Sequence, residues 1–276
     1  MADVPRIFPG SSLHVNVSAP VPLLETRKLS RNFGGLRAID NIDLSVEADE
    51  TVGLIGPNGA GKTTLFNCVT GISPPTSGDI VYRGESLAGL RPDQVTARGI
   101  SRTFQNIRLF REMTVIENVM VGSHCRARAG ILGAVFRPKA VVKEEEDLAA
   151  KALGLLRFVG LEEKADLWAR QLPYGDQRRL EIARAMASDP SLLLLDEPAC
   201  GMNPQETIAL MELIRLIRDR GIAVLLIEHQ MKMIMGISDR LVVLDHGTKI
   251  AEGTAEAVRA DPAVIGAYLG KESIGA

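Results

Sequence analysis

Eight residues constrain this chain more than any others: Gly56-Pro57-Asn58-Gly59-Ala60-Gly61-Lys62-Thr63, the pattern G-x-x-x-x-G-K-[ST]. The apolar segment Thr51-Val52-Gly53-Leu54-Ile55 precedes it and reads as a short buried strand. Thr64-Leu65-Phe66-Asn67-Cys68-Val69-Thr70 follows with helical spacing. Strand, glycine loop and helix in that order are the setting in which this pattern holds a phosphate chain. The glycines let successive backbone N–H groups turn inward onto phosphate oxygens, and the helix N-terminus adds the positive end of its dipole. Lys62 is expected to reach the β- and γ-phosphates and the Thr63 hydroxyl to hold Mg2+, with Thr64 beside it as a nucleotide contact. A glycine-rich turn without a ligand is the alternative, and eight matched positions in this setting count against it.

The chain has 276 residues, enough for one large domain with a substantial subdomain. A net charge of −2 provides no global field for nucleic acid or anionic lipid. Cys68, Cys125 and Cys200 are widely spaced, without metal or redox pairing, which suits a reducing compartment. The longest apolar stretches, such as Leu192 to Leu195 and Ile222 to Ile227, are far too short to span a bilayer. Residues 1–21 hold Pro5, Pro9, Gly10 and Pro20 without a hydrophobic run and read as a flexible leader. A cytosolic protein is expected, with any membrane role reached through a partner.

Residues 23–32 and 39–47 alternate roughly, as antiparallel strands do. Between them, Phe33 stands at a glycine turn (Gly34, Gly35), where it either stacks on a nucleotide base or packs as an edge-strand aromatic. From about 86 to 175 the character turns helical, and this stretch reads as an insertion in an α/β core. Within it the basic run Gly122 to Ala140 (Arg126, Arg128, Arg137, Lys139) is either a solvated loop or a contact for a partner or membrane surface. From Leu180 helices and apolar strands alternate: a buried strand Leu192 to Leu195, a helix 204–219, a strand Ala223 to Ile227, a helix around 231–237 and a strand Arg240 to Leu244. That alternation predicts a parallel sheet covered on both faces. Asp261-Pro262 opens a short C-terminal helix within a tail of 257–276.

Strand Leu192 to Leu195 ends in Asp196-Glu197, at the carboxyl edge where open α/β sheets carry ligands. Asp196 suits the magnesium-side carboxylate, and Glu197 is placed to polarise a water attacking the γ-phosphate. A surface acid pair capping a turn before Pro198 is the alternative. His229, just past another apolar strand, is either structural or a γ-phosphate contact. Gln105, where the helical insertion begins, offers a neutral amide to magnesium and water.

These pieces, in this order, closely resemble the ATP-binding subunit of ABC transporters. The specific mark is Leu172-Pro173-Tyr174-Gly175-Asp176-Gln177-Arg178-Arg179-Leu180, in the family's signature position ahead of Asp196. The resemblance covers residue 22 to the C-terminus. Arg102 to Phe110 and Glu197 to Pro204 look, more narrowly, like importers of branched-chain amino acids, to which urea and short-amide importers are closely related. The resemblance implies an α/β P-loop NTPase (RecA-like) core with an antiparallel β subdomain and a helical subdomain, the ABC domain running over 22–256. It implies ATP and Mg2+ as cofactors and hydrolysis through Glu197, with Gln105 in the Q-loop place, His229 in the switch place and Phe33 stacked on the base. Two such domains, this chain with a paralogue or with itself, would sandwich ATP head to tail. Each nucleotide would lie between one phosphate loop and the other domain's signature (Tyr174, Gly175, Asp176). Gly201 to Asn203 would cross the dimer. Transmembrane permease subunits would dock a coupling helix beside Gln105, at the cytoplasmic face of the membrane, with a substrate-binding protein feeding them and no nucleic acid involved. A soluble ABC ATPase acting on DNA or ribosomes fits less well, since the chain has one phosphate loop and no sustained heptads.

The signature departs from the family's usual Leu-Ser-Gly-Gly-Gln. Pro173 removes a hydroxyl and a backbone N–H, and Asp176 adds a negative charge where glutamine is usual. Tyr174 for the first glycine, and Asn203 for a more general aspartate, are shared with the branched-chain subgroup. A weaker ATP sandwich is the expectation. Pro173→Ser should strengthen ATP-driven dimerisation and raise turnover, read by gel filtration with ATP and by phosphate release. Unchanged values in both would remove that expectation.

Overall fold

The computed structural model describes residues 21–123 and 139–269. The leader (1–20), Cys125, and the basic residues Arg126, Arg128 and Arg137 lie outside them. The described chain opens with β1 (Leu24–Phe33), β2 (Leu36–Val46), β3 (Thr51–Ile55), α1 (Lys62–Val69), β4 (Ser77–Tyr82) and β5 (Glu85–Ser86). Next come α2 (Pro92–Ala97), β6 (Ile100–Arg102), α3 (Val115–Gly122), α4 (Lys139–Phe158), two single 3-10 turns at Glu162–Lys164 and Ala169–Gln171, and α5 (Tyr174–Met186). The remainder is β7 (Leu192–Asp196), α6 (Pro204–Arg218), β8 (Ala223–Ile227), α7 (Met231–Ile237), β9 (Arg240–Asp245), β10 (Thr248–Gly253), α8 (Ala255–Ala260) and α9 (Pro262–Leu269).

Among the described residues these strands form an antiparallel sheet of order β2-β1-β4-β5 and a larger one of order β10-β9-β3-β8-β7-β6. From β9 to β6 the larger sheet is parallel, and β10 closes one edge antiparallel. Ile227 fixes the register at its centre, pairing with Leu54 of β3 on one side and Asp196 of β7 on the other. The residues following these three therefore leave the sheet at one level.

Both faces of the parallel strands are buried, which is why they read as continuous apolar runs. Along β7 the side chains alternate: Leu193 and Leu195 join a core with the helices, Leu192 and Leu194 a core with α1 and the antiparallel sheet. Helix starts follow local chemistry. Asn203 accepts from the Glu206 N–H at 2.9 Å while Glu206 accepts from the Asn203 N–H at 2.9 Å, and Pro204 opens α6.

The helical insertion expected over 86–175 is corrected at its beginning. Ser86 ends the antiparallel sheet, and Ile100–Arg102 is an edge strand of the parallel sheet, with Ile100 opposite Leu192 and Arg102 opposite Leu194. Three residues are too few to show an alternating period, and an arginine in the run suggests solvent. Beyond Gln105 the helices α3, α4 and α5 pack on one another around Val115, Val119, Ala152, Leu156, Ile182 and Ala183.

At the end of α3, Gly122 lies so close to α5 that a Cβ there would stand 2.1 Å from the Arg184 carbonyl oxygen. Backbone cannot yield as a flexible side chain can. Gly122→Ala should therefore cost roughly 1–3 kcal/mol by overpacking, seen as a lower denaturation midpoint. A midpoint equal to that of the parent chain would show that the two helices are not held at this separation.

Candidate functional site: a phosphate loop facing a bracketed carboxylate

The loop between β3 and α1 is shaped by what crowds it. A Cβ at Gly56 (φ 148°) would meet the Leu244 carbonyl oxygen at 2.1 Å, and one at Gly61 (φ 101°) the Ala38 carbonyl oxygen at 2.6 Å. Only glycine tolerates both demands. From behind, the turn between β9 and β10 holds the loop: the Gly247 N–H donates to the Ala60 carbonyl at 3.1 Å. Lys62 is buried, and its Nζ donates to the Gly56 and Pro57 carbonyls at 2.6 and 3.0 Å, folded over the loop it belongs to.

In front of the loop lies an open cleft of about 710 Å³. It brings together Phe33, the stretch Asn58 to Thr64, Gln105, Glu197 and His229, so residues predicted from five separate parts of the chain share one surface. Leu36, Arg37, Ala38 and His246 line it as well; their types and spacing carry no motif, and sequence reasoning passed over them. Half of the Phe33 ring is exposed, and the Arg31 guanidinium covers it at 4.6 Å from the ring centre.

Glu197 is the focus of the cleft. Gln105 Nε2 donates to its Oε2 at 2.8 Å, and His229 Nε2 lies 3.0 Å from its Oε1. Its backbone is left-handed, φ 47°, a conformation that costs a residue with a Cβ roughly 1–3 kcal/mol and is concentrated at functional sites. The turn aims the carboxylate into the cleft while the Glu197 N–H still donates to the Ile227 carbonyl at 2.9 Å, extending the sheet by one bond.

Asp196 does not line the cleft but lies beneath it, buried, its Oδ2 accepting from Arg102 at 2.6 Å. Arg102, equally buried, also donates to Asn67 Oδ1 at 2.7 Å, on the helix that the loop opens. Arg102 gave no sign in the sequence because arginine in a short apolar run looks like surface. Behind the cleft, the buried carboxylate of Glu228 accepts from the Ala199, His229 and Gln230 N–H groups. A carboxylate at the end of a strand reads as solvent-facing, so this one too went unremarked.

Comparison with known proteins decides what the cleft belongs to. The ABC transporter profile matches residues 39–200, and that of branched-chain amino acid ATP-binding cassette transporters matches residues 248–273. The chain belongs to the ABC transporter ATP-binding family. It is 49% identical to the high-affinity branched-chain amino acid transport ATP-binding protein LivG of Escherichia coli K12, over 91% of this chain and 98% of that protein. It is 47% identical to BraF, of the same description, from Pseudomonas aeruginosa, over the same shares. A solved nucleotide-free ATP-binding cassette from an ABC transporter superposes with a TM-score of 0.79 at 31% identity, over 90% of this chain and 99% of that one. A cassette solved in its ADP conformation gives 0.79 at 32% identity, over 91% and 99%. Cassettes of this family are ATP hydrolases, and so is this chain.

The cassette's signature, Leu172 to Gln177, lies apart from the cleft, whose lining includes none of its residues. Pro173 occupies the N-cap of α5, outside the helix, so the Tyr174, Gly175 and Asp176 N–H groups still begin it. Asp176, expected to set a free negative charge near the nucleotide, is corrected. Its side chain is buried and ion-paired with Lys164 and Arg179, the charge spent inside the cassette. Tyr174 is half-exposed and its ring packs against Gly201. One turn on, the fully buried Arg178 donates to the Phe104 and Gln105 carbonyls at 2.7 and 2.9 Å and pairs with Glu181 at 2.9 Å. The signature helix thus grips the backbone of the residue that reaches Glu197.

Burial pushes the Asp176 carboxyl up, but Lys164 and Arg179 outweigh it and hold the group below the usual carboxylate range. A lowered folded value means that the pairing stabilises the cassette above the unfolded value, about 3.9, and is lost as pH falls through the lowered one. Asp176→Asn should lower stability at pH 7 by on the order of 1 kcal/mol, since Lys164 and Arg179 are partly solvated. In denaturant titrations at several pH values, the gap to the parent should close in acid below that value. A gap independent of pH would exclude the ion pairs as its source.

Proposed function

We propose that this cassette is one of two ATPase subunits powering the uptake of branched-chain or other hydrophobic amino acids. In this reading it is bound at the cytoplasmic face of a membrane to permease subunits fed by a substrate-binding protein. The observation that carries the chemistry is Glu197, held between Gln105 and His229 opposite the phosphate loop. Glu197 would take a proton from the attacking water, His229 would steady its carboxylate and contact the γ-phosphate, and Gln105 would report the occupied site to the helices. Lys62 would exchange its loop carbonyls for the β- and γ-phosphates. Phe33, covered by Arg31 on one face, has the other for the base.

The donors suit Mg2+, a hard cation that keeps oxygen ligands and rides on substrate phosphates. Thr63 and Gln105 line the cleft, and Gln105, its amide nitrogen committed to Glu197, has its oxygen to offer. Asp196 would complete the protein's share from below, fixed by Arg102. When bound, the ion would neutralise charge building on the β- and γ-oxygens. The substrate class follows the printed function of the relatives, matched over 98% of their length. Beside Gln105, a groove of about 370 Å³ lined by Phe104, Arg108, Phe110, Val121 and Arg184 offers a permease helix an apolar and basic seat. Among the described residues no helix is long and apolar enough to cross a membrane.

Glu197→Gln should lower turnover about 10²–10⁴-fold and trap an ATP-bound dimer on gel filtration; a variant with parental turnover would exclude Glu197 as the base. Co-expressed with its permease subunits and reconstituted, the complex should take up leucine, isoleucine or valine with ATP. Uptake of urea or short amides instead would reassign the substrate, and failure to associate with any membrane subunit would sink the transport reading.

A further inference from the structure

We propose that Glu228 is a positioning residue for the hydrolytic pair Glu197–His229, a carboxylate brace joining the two loops that carry them. The inference rests on the reading of Glu197 as the base.

Glu197 and His229 leave the sheet from neighbouring strands, β7 and β8, and the 3.0 Å separation of their side chains depends on how those two exits are held. Glu228 lies between them, 3% exposed and facing away from the cleft. Its two oxygens divide the work. Oε1 accepts from the Ala199 N–H at 2.9 Å, two residues past Glu197, and Oε2 accepts from the His229 and Gln230 N–H groups at 2.7 and 3.1 Å. Gln230 adds a long contact of its own, from Nε2 to the Ala199 carbonyl at 3.4 Å.

Every atom that the carboxylate meets here is a backbone donor, so both oxygens must accept. An amide of the same shape could not serve, because its NH2 would face an N–H on one side or the other. Charge-assisted bonds to backbone N–H groups are short and strong, and a buried donor left without its partner is costly. The left-handed turn at Glu197 adds a reason for the brace, since such a backbone persists only where its surroundings over-determine it. Glu228 touches neither substrate nor cleft and acts through the geometry of the two residues that do.

The test is Glu228→Gln, alone and combined with His229→Ala, in the full chain. ATP turnover should fall at least tenfold, with KM for ATP within twofold of the parent, because the phosphate loop is untouched. In the His229→Ala background the same substitution should cost less than threefold, since the pair it positions is already broken. Parental turnover, or a full tenfold loss retained in that background, would overturn the proposal. Glu197→Gln separates the two claims: if it turns over like the parent, the base assignment fails, whatever Glu228 does. Should Glu228→Gln not fold, amide hydrogen exchange of the parent decides. Slow exchange at Ala199 and His229 supports the brace, and exchange at the rate of exposed loops excludes it.

Discussion

Ile227 pairs at once with Leu54 and with Asp196, and everything chemical in this cassette depends on that register. Three strands reach the same level side by side, so their next residues open onto a common edge: the phosphate loop after β3, Glu197 after β7, Glu228 and His229 after β8. A slip of one residue in β8 would turn its apolar side chains to the opposite face and carry His229 away from Glu197. Leu192 to Leu195 and Ala223 to Ile227, fully buried on both sides, leave no room for such a slip. The hydrophobic core thus sets the distance between a phosphate site and a carboxylate.

Charge is buried in this protein mainly where segments distant in the sequence must meet. Arg102 and Asp196 join the edge strand to its neighbour, and Arg102 reaches on to Asn67 in α1. Arg178 and Glu181 join the signature helix to the residues around Gln105. Buried pairs seldom add much stability over apolar packing, but losing one member leaves an unpaired charge in a low dielectric. They therefore exclude alternative arrangements more than they strengthen this one. Asp176 follows the same logic at a half-solvated edge, where its partners absorb a charge that the neighbouring signature could not use.

Much of this was legible in the chain itself. The phosphate loop, Asp196-Glu197, His229 and the strand–helix alternation after Leu180 are local patterns, and local patterns survive in one dimension. What escaped was set by tertiary contact. β6 is too short to carry a period, so Ile100–Arg102 read as part of a helical insertion until its pairing with β7 was seen. Arg102, Arg178 and Glu228 have the residue types of a surface and the burial of a core. Nothing in their neighbours along the chain distinguishes the two, because their partners lie 94, 73 and 29 positions away. β10, an antiparallel edge of half-exposed residues, lacks the apolar run that identified the other strands.

Arg178 closes a circuit of 73 residues upon the Gln105 carbonyl. The chain departs from the sheet at one side of that bond and returns at the other, so the excursion between is tied at its neck. The entropy of closing such a loop grows only with the logarithm of its length, and the neck keeps the same shape whatever hangs from it. Insertions and deletions in the far reaches of the excursion are thereby insulated from the cleft. One buried guanidinium lets the size of a subdomain vary while the geometry of hydrolysis stays fixed.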